Sequence, residues 1–218
     1  MRHKEELLII RHARSQHNMG ETDDLDCDIT EFGIRQANNV GVFLQHQFFD
    51  GKFDISRWNI YTSPFLRCLQ TTYHIFNQLT EKRKPIVCKC FREYLNHSGD
   101  AAQIPNRKEG FHQFDWSHYP EDGMEFTKEQ NETFLERMHE GHNIIGPRSI
   151  VVTHGLPAYA LKHVAANNAD YVPVWDNSID NCSITWLRGG RVVWHGRNLY
   201  NEVEYKPENY RRCFILEP

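Results

Sequence analysis

Residues 7–18 read Leu-Leu-Ile-Ile-Arg-His-Ala-Arg-Ser-Gln-His-Asn, and this stretch decides the fold. Leu7 to Ile10 is an unbroken apolar run that ends in a β-branched pair. Such a run reads as a strand buried on both faces, the kind found inside a parallel sheet. It stops abruptly at Arg11, His12, Arg14, Ser15, His17 and Asn18. In open α/β sheets, ligands bind beyond the carboxyl ends of the strands. A cationic cluster there reads as an anion site that contains a histidine. Taken alone, the same residues would also suit a polar loop at the rim of the core. The other strand ends separate the two readings.

The chain has 218 residues, enough for one sizeable core. Hydrophobic residues make up 39% and charged residues 25%, the balance of a globular protein in water. The net charge is −4 with no basic block, which argues against nucleic acid gripped by its backbone. Only four apolar residues follow the polar N-terminus, too few for a signal-peptide core or a membrane span. The expected location is cytoplasmic, with no membrane partner. The six cysteines (Cys27, Cys68, Cys88, Cys90, Cys182 and Cys213) agree, since most sit in apolar runs as free thiols do. Cys88 and Cys90 lack the CxxC spacing of a zinc or redox site.

Outward from the first strand, Glu21–Asp28 is an acidic loop and Thr30 is a good N-cap for a helix reaching Asp50-Gly51. Trp58–Thr62 is a second strand. Ser63-Pro64 follows as N-cap and first helical residue, and Arg67 lies one turn in, near free N–H groups that favour an anion. Pro85–Cys90 reads as a third strand, with Arg92-Glu93 just past its end. Residues 94–125 show no period and carry Arg107, Lys108, Phe111, His112, Phe114, Trp116 and Tyr119. A stretch this long without regular structure reads as a lid. A helix from Thr127 to about His142 comes next, then a buried strand Ser149–Thr153 ending in His154-Gly155. A helix from Pro157 follows, then strands Asn181–Leu187 and Arg191–His195 around Gly189-Gly190. The apolar Phe214–Leu216 is expected to dock on the domain. Strands alternating with helices imply an α/β fold: a three-layer α/β/α sandwich with a mostly parallel central sheet, one domain over residues 1–218.

Separate strand ends thus carry Arg11-His12, Ser63 with Arg67, Glu93, and His154. A phosphoryl group explains them together. Its oxygens need several fixed donors, and Arg supplies a rigid fork that Lys lacks. A neutral imidazole can attack phosphorus in line. A carboxyl group can protonate the leaving oxygen, a role that asks for a raised pKa, which desolvation under a lid would supply.

The motifs resemble those of the histidine phosphatase superfamily, the phosphoglycerate mutase-like proteins. Arg11–Asn18 looks like RHGxSxxN, and Asp26–Gly33 with Gln36-Ala37 looks like DxxLTxxGxxQA. Tyr61–Arg67 with Gln70-Thr71 looks like YSSPLxRxxQT. Arg92-Glu93 resembles the LRE that carries the acid, and Val152–Gly155 the second-histidine motif. Asn181–Thr185 matches a common late strand. The resemblance implies a phosphoglycerate mutase-like fold and no cofactor. It implies His12 as the nucleophile that becomes phosphohistidine, and Arg11, Arg67 and His154 as holders of the phosphoryl oxygens. Glu93 would be the acid and base. Asn18, Ser63, Ser15 and Arg14 would add substrate contacts. Ala13 stands where the pattern has Gly, a cost if the backbone there needs positive φ.

The implied activity is hydrolysis of a phosphomonoester, on a small phosphorylated substrate or a phosphoprotein. Glu93 is followed by Tyr94-Leu95-Asn96 and not by the ERxYG pattern of the glycerate mutases. A mutase, a sugar bisphosphatase using Arg107, Lys108 and His112, and a scaffold without turnover are the alternatives. His139 and His142 prompt a metallohydrolase reading, but no metal-ligand pattern accompanies them.

Overall fold

A computed structural model describes residues 4–49, 54–80, 83–95, 101–167 and 179–199. Asn96, His97, Cys213 and the Phe214–Leu216 run lie outside the described residues. The central strands are β1 (Glu6–Arg11), β2 (Asn59–Thr62), β3 (Ile86–Val87) and β6 (Arg148–Thr153). The last pair is β7 (Ile184–Arg188) and β8 (Arg191–Arg197). Together they form one sheet in the order β3-β2-β6-β1-β7-β8. The first four strands in that order are parallel, whereas β7 and β8 run antiparallel. A smaller ribbon pairs β4 (Ala101–Ile104) with β5 (Met124–Thr127).

Alternation along β1 builds both cores. Leu8 and Ile10 pack with Ile60, Ile150 and Val152 against α1 (Glu31–Phe43) and α2 (Leu66–Asn77). Leu7 and Ile9 pack with Tyr61 and Val151 against α3 (Asn131–Ile144) and α4 (Gly155–Ala165). The expected three-layer α/β/α sandwich is what these faces produce.

The element boundaries correct several expectations. The third strand is two residues long, not Pro85–Cys90. Cys88 still donates its N–H to Thr62 O, but the chain then turns through a 3-10 segment, Lys89–Phe91. Ser63 does not cap α2. Phe65 holds the N-cap position, and Asp26 Oδ1 from the acidic loop accepts from Leu66 N at 2.7 Å. Thr127 closes β5, so α3 starts at Asn131. α4 starts at Gly155, two residues before Pro157. Thr30 caps α1 as expected, accepting from Gly33 N, and Gly189-Gly190 both take positive φ in the last hairpin. No helix among the described residues is long and apolar enough to cross a membrane.

Residues 101–127 contain a third core. Phe114, Trp116, Tyr119 and Phe126 pack with Phe65 and Leu69 of the α2 start and Val87. Trp116 Nε1 donates to Phe111 O and the Tyr119 hydroxyl to Ile104 O, so the rings bury without stranding their polar atoms. Their faces are spent on this core.

α1 meets the loop after β1 at Gly33. Arg14 O accepts from Thr30 N at 2.8 Å, and a Cβ on Gly33 would lie 2.3 Å from that same oxygen. Gly33→Ala is expected to lower stability by about 1–3 kcal/mol, the usual cost of overpacking. It should also reduce phosphate binding, because the displaced backbone is that of the His12 loop. Urea denaturation and phosphate titration of the variant check both.

Candidate active site

The sheet delivers the predicted residues to one edge through hydrogen bonds that continue past the strands. His12 N donates to Thr153 O at 2.8 Å, and Ser63 N to Val152 O at 3.0 Å. These bonds put the residue after β1, the residue after β2 and the residue after β6 side by side. Arg67 joins them from the first turn of α2.

His12 is buried and its imidazole is fixed at both nitrogens. Nδ1 lies 2.8 Å from Ala13 O, which can only accept, so the ring proton sits on Nδ1. The Nε2 lone pair receives the Arg67 Nε–H at 3.2 Å. Burial, helped by the charges of Arg67 and Arg11 and by His154, holds the His12 pKa well below the ordinary histidine value. The ring is therefore neutral, with its Nε2 lone pair facing the cationic cluster.

Ala13 is not among the residues with positive φ, so the departure from Gly costs no backbone strain. Its N–H donates to Thr71 Oγ1 at 2.9 Å. Thr71, Gln36 and Gln70 were visible only as motif letters. The structure gives them work: Gln36 Oε1 accepts from Arg14 N, and Gln70 Oε1 accepts from Ile29 N at 2.8 Å.

Arg67 reaches three groups at once. Besides His12, Nη2 donates to Glu93 Oε2 at 3.0 Å and Nη1 to Leu25 O. Arg11 lies over Gly155, its Nη1 donating to Ile179 O. Its Nε–H is buried with no acceptor among the described residues, an open donor. His154 Nδ1 lies 3.2 Å from Glu93 Oε2, and its Nε2 lies 2.8 Å from Ser63 Oγ. The carboxylate accepts, so Nδ1 carries the proton and Nε2 accepts from the Ser63 hydroxyl. The two imidazoles stand edge to face, with centroids 5.2 Å apart.

Glu93 reverses one expectation. Burial pushes its carboxyl up, but His154 and Arg67 outweigh that and hold it below the usual carboxylate range. The raised pKa foreseen for an acid is absent without a bound anion. His154 is pushed down to about 4 by burial, which the neighbouring Glu93 only partly offsets.

The remaining expected contacts divide. Ser63 is in the cluster through His154. Ser15 is buried, and its N–H and hydroxyl both donate to Asn18 Oδ1, at 3.2 and 3.1 Å. Asn181 Nδ2 donates to that same oxygen and to His12 O at 3.0 Å. Ser15 and Asn18 thus brace the loop, and Asn181, a positioning residue the sequence did not single out, ties them to His12. Arg14 stacks on the Phe32 ring of α1 at 4.2 Å and is not drawn into the cluster. The α2 N-terminus, expected to await an anion, is already served by Asp26. Arg107 Nη2 pairs with Asp26 Oδ2 at 2.6 Å.

His12, Glu93 and His154 offer ligand atoms within 4.8 Å of one another, a spacing that a metal ion could use. Arg67 decides against a cation. Its fixed charge donates to two of the three residues and occupies the His12 lone pair. Two guanidiniums, one carboxylate and two neutral imidazoles leave the cluster about one positive charge in excess, which suits a dianion.

The profile of the histidine phosphatase superfamily (branch 1) matches residues 7–202. A 2,3-bisphosphoglycerate-dependent phosphoglycerate mutase from Treponema denticola is 31% identical over 83 residues, covering 37% of this chain and 31% of that protein. The match therefore spans under a third of the mutase's length. The ecdysone phosphate phosphatase of Bombyx mori, solved with tungstate, superposes with a TM-score of 0.67 at 17% identity, over 97% of this chain and 100% of that one. YhfR of Bacillus stearothermophilus gives 0.59 at 20% identity, over 88% of this chain and 96% of that one. A mycobacterial glucosyl-3-phosphoglycerate phosphatase gives 0.52 at 17% identity, with the same coverage. At these identities the likeness to the solved structures is one of fold.

The buried groups set an acid sensitivity. His12 and His154 have folded pKa values below the ordinary 6.5, so the unfolded chain binds more protons as pH falls through that value. Their stabilisation is present above pH 6.5 and is lost progressively below it, for His154 down to about pH 4. Glu93, also depressed, adds loss below the ordinary carboxylate range, and Asp26, raised by burial, opposes it there. Urea midpoints measured from pH 8 to pH 5 should be flat above about pH 7 and fall below it, with a shallower fall in His154→Gln.

Proposed function

The chain belongs to branch 1 of the histidine phosphatase superfamily, and we propose that it is a phosphomonoester hydrolase acting through a phosphohistidine, with no metal ion. The observation that carries this reading is the His12 ring, neutral and buried, with Nδ1–H pinned to Ala13 O and Nε2 aimed at the guanidinium of Arg67. A nucleophile needs that tautomer and that lone pair.

The phosphoryl group enters between Arg67, the open Nε–H of Arg11, and His12. Its oxygens take up the Arg67 fork, which loosens the hold on Glu93. The added negative charge raises the Glu93 pKa, so the carboxyl becomes protonated when a dianion is bound. Charge on the substrate thus prepares the acid. His12 Nε2 then attacks phosphorus and forms the N–P bond. The P–O bond to the leaving group breaks, and Glu93 gives its proton to that oxygen. In the second half Glu93 takes a proton from water, the water oxygen attacks phosphorus, and the N–P bond breaks. Neutral His12 and inorganic phosphate remain. The His154 Nδ1–H, given to Glu93 at rest, is the donor free for a phosphoryl oxygen once Glu93 is protonated.

The substrate class is a small phosphorylated molecule or a phosphoprotein. The tungstate held by the Bombyx mori relative, a tetrahedral oxyanion, agrees with a phosphoryl site in this fold. The partial match to a phosphoglycerate mutase favours one second reading, phosphoryl return to the glycerate. With phosphoglycerate as substrate, inorganic phosphate supports hydrolysis and the isomeric phosphoglycerate supports the mutase.

Turnover of a chromogenic phosphomonoester with EDTA present tests the mechanism. His12→Ala should lose about 10³-fold or more, the scale of removing a covalent nucleophile. The parent should form an acid-labile phosphoprotein that the variant does not. A variant that keeps its rate overturns the assignment of His12, and a parent abolished by EDTA overturns the metal-free reading.

A further inference from the structure

A buried ion triad flanks Glu93 without touching it. Glu129, just beyond β5, is 6% exposed. Its Oε1 accepts from Arg92 Nη2 and Arg137 Nε, each at 2.9 Å, and its Oε2 accepts from Arg137 Nη2 at 2.6 Å. The third nitrogen of Arg137 turns to the backbone, where Nη1 donates to Cys90 O at 2.6 Å and Arg92 O at 3.1 Å. On the other side of Glu93, Glu129 N donates to Leu95 O at 2.7 Å. The Tyr94 ring stacks on Phe134 of α3 with centroids 4.3 Å apart.

The Arg137 guanidinium, oriented by the Glu129 carboxylate, therefore fixes the carbonyls of residues 90 and 92, and the Glu129 backbone N–H fixes that of residue 95. Among the described residues, the Glu93 carboxyl has one backbone partner of its own, Tyr94 N at 3.0 Å. Arg67 and His154 hold the carboxyl from the front, and the short segment that carries it is clamped from behind. As a stability device such a triad is weak, because desolvating three charges consumes most of what their pairing returns. As a positioning device it is strong, since a bidentate fork fixes direction as well as distance. Proton delivery to a leaving oxygen demands hydrogen-bond reach, about 2.6–3.2 Å.

We propose that Glu129 and Arg137 are positioning residues for the reaction, holding the 90–95 segment so that Glu93 meets the leaving-group oxygen. The inference rests on the acid role of Glu93 proposed above. It separates two substrate types. An activated aryl phosphate expels its oxygen without a proton, whereas an alkyl phosphate needs one. Mispositioning the acid slows the second and spares the first.

The test compares kcat/KM for 2,4-dinitrophenyl phosphate and glycerol 2-phosphate in the parent, Glu93→Gln, Glu129→Gln and Arg137→Lys. This quantity reports events through P–O cleavage, and the alkyl-to-aryl ratio is independent of how much of a preparation is folded. Glu93→Gln should lower the ratio about 100-fold, within the usual range for a general acid. Glu129→Gln and Arg137→Lys should each lower it about 10-fold, with the aryl rate kept within about threefold of the parent. If the Glu93 variant shows the drop and the other two do not, or if both their rates fall together, the positioning role is refuted. If Glu93→Gln leaves the ratio unchanged, the acid role fails and takes this inference with it.

Discussion

The arrangement depends on one buried guanidinium. Arg67 is 2% exposed and donates to His12, to Leu25 O and to Glu93. It joins the end of β1, the acidic loop and the segment after β3. A buried cation there is offset by Glu93 and a backbone carbonyl, and His154 and Arg67 together hold Glu93 ionised. The resting site is thus a closed circuit of opposite charges, with a lone pair on His12 at its edge. In the mechanism proposed above, a dianion would open the circuit by competing for the same fork.

Much of this was legible because strand ends are legible. Leu7–Ile10 and Ser149–Thr153 read as buried strands from their apolar runs alone, and the sheet rules put Arg11-His12 and His154 at one edge. Thr30 and Gly189-Gly190 followed from local backbone chemistry and hold in the structure. The boundaries that failed are those where a tertiary partner overrode a local signal. Ser63-Pro64 has the chemistry of a helix start, yet the Ser63 hydroxyl is committed to His154, and a distant aspartate caps α2 instead. The third strand stops after two residues, where the chain turns toward Glu93.

The electrostatics were harder to read, for a physical reason. Burial alone raises a carboxyl pKa, and a sequence reveals burial more readily than it reveals neighbours. Whether Glu93 rises or falls is decided by Arg67, which lies 26 residues away in the chain, and by His154, farther still. Of the triad behind Glu93, only Arg92 falls in a quoted motif. Glu129 and Arg137 are eight residues apart on different elements, and their shared target, the backbone around Glu93, exists only once the sheet and α3 have met.

The Phe65 ring has a consequence for how such proteins diversify. One face stacks on Phe126 of the 101–127 segment, and an edge contact at 5.1 Å reaches His154. The 101–127 segment is therefore not a detachable module. A graft joined at its chain ends alone would leave Phe65 without its tile, and the imidazole behind it would settle differently. A change in this segment is thus felt at His154 through a single ring, and the two places should vary together among such proteins.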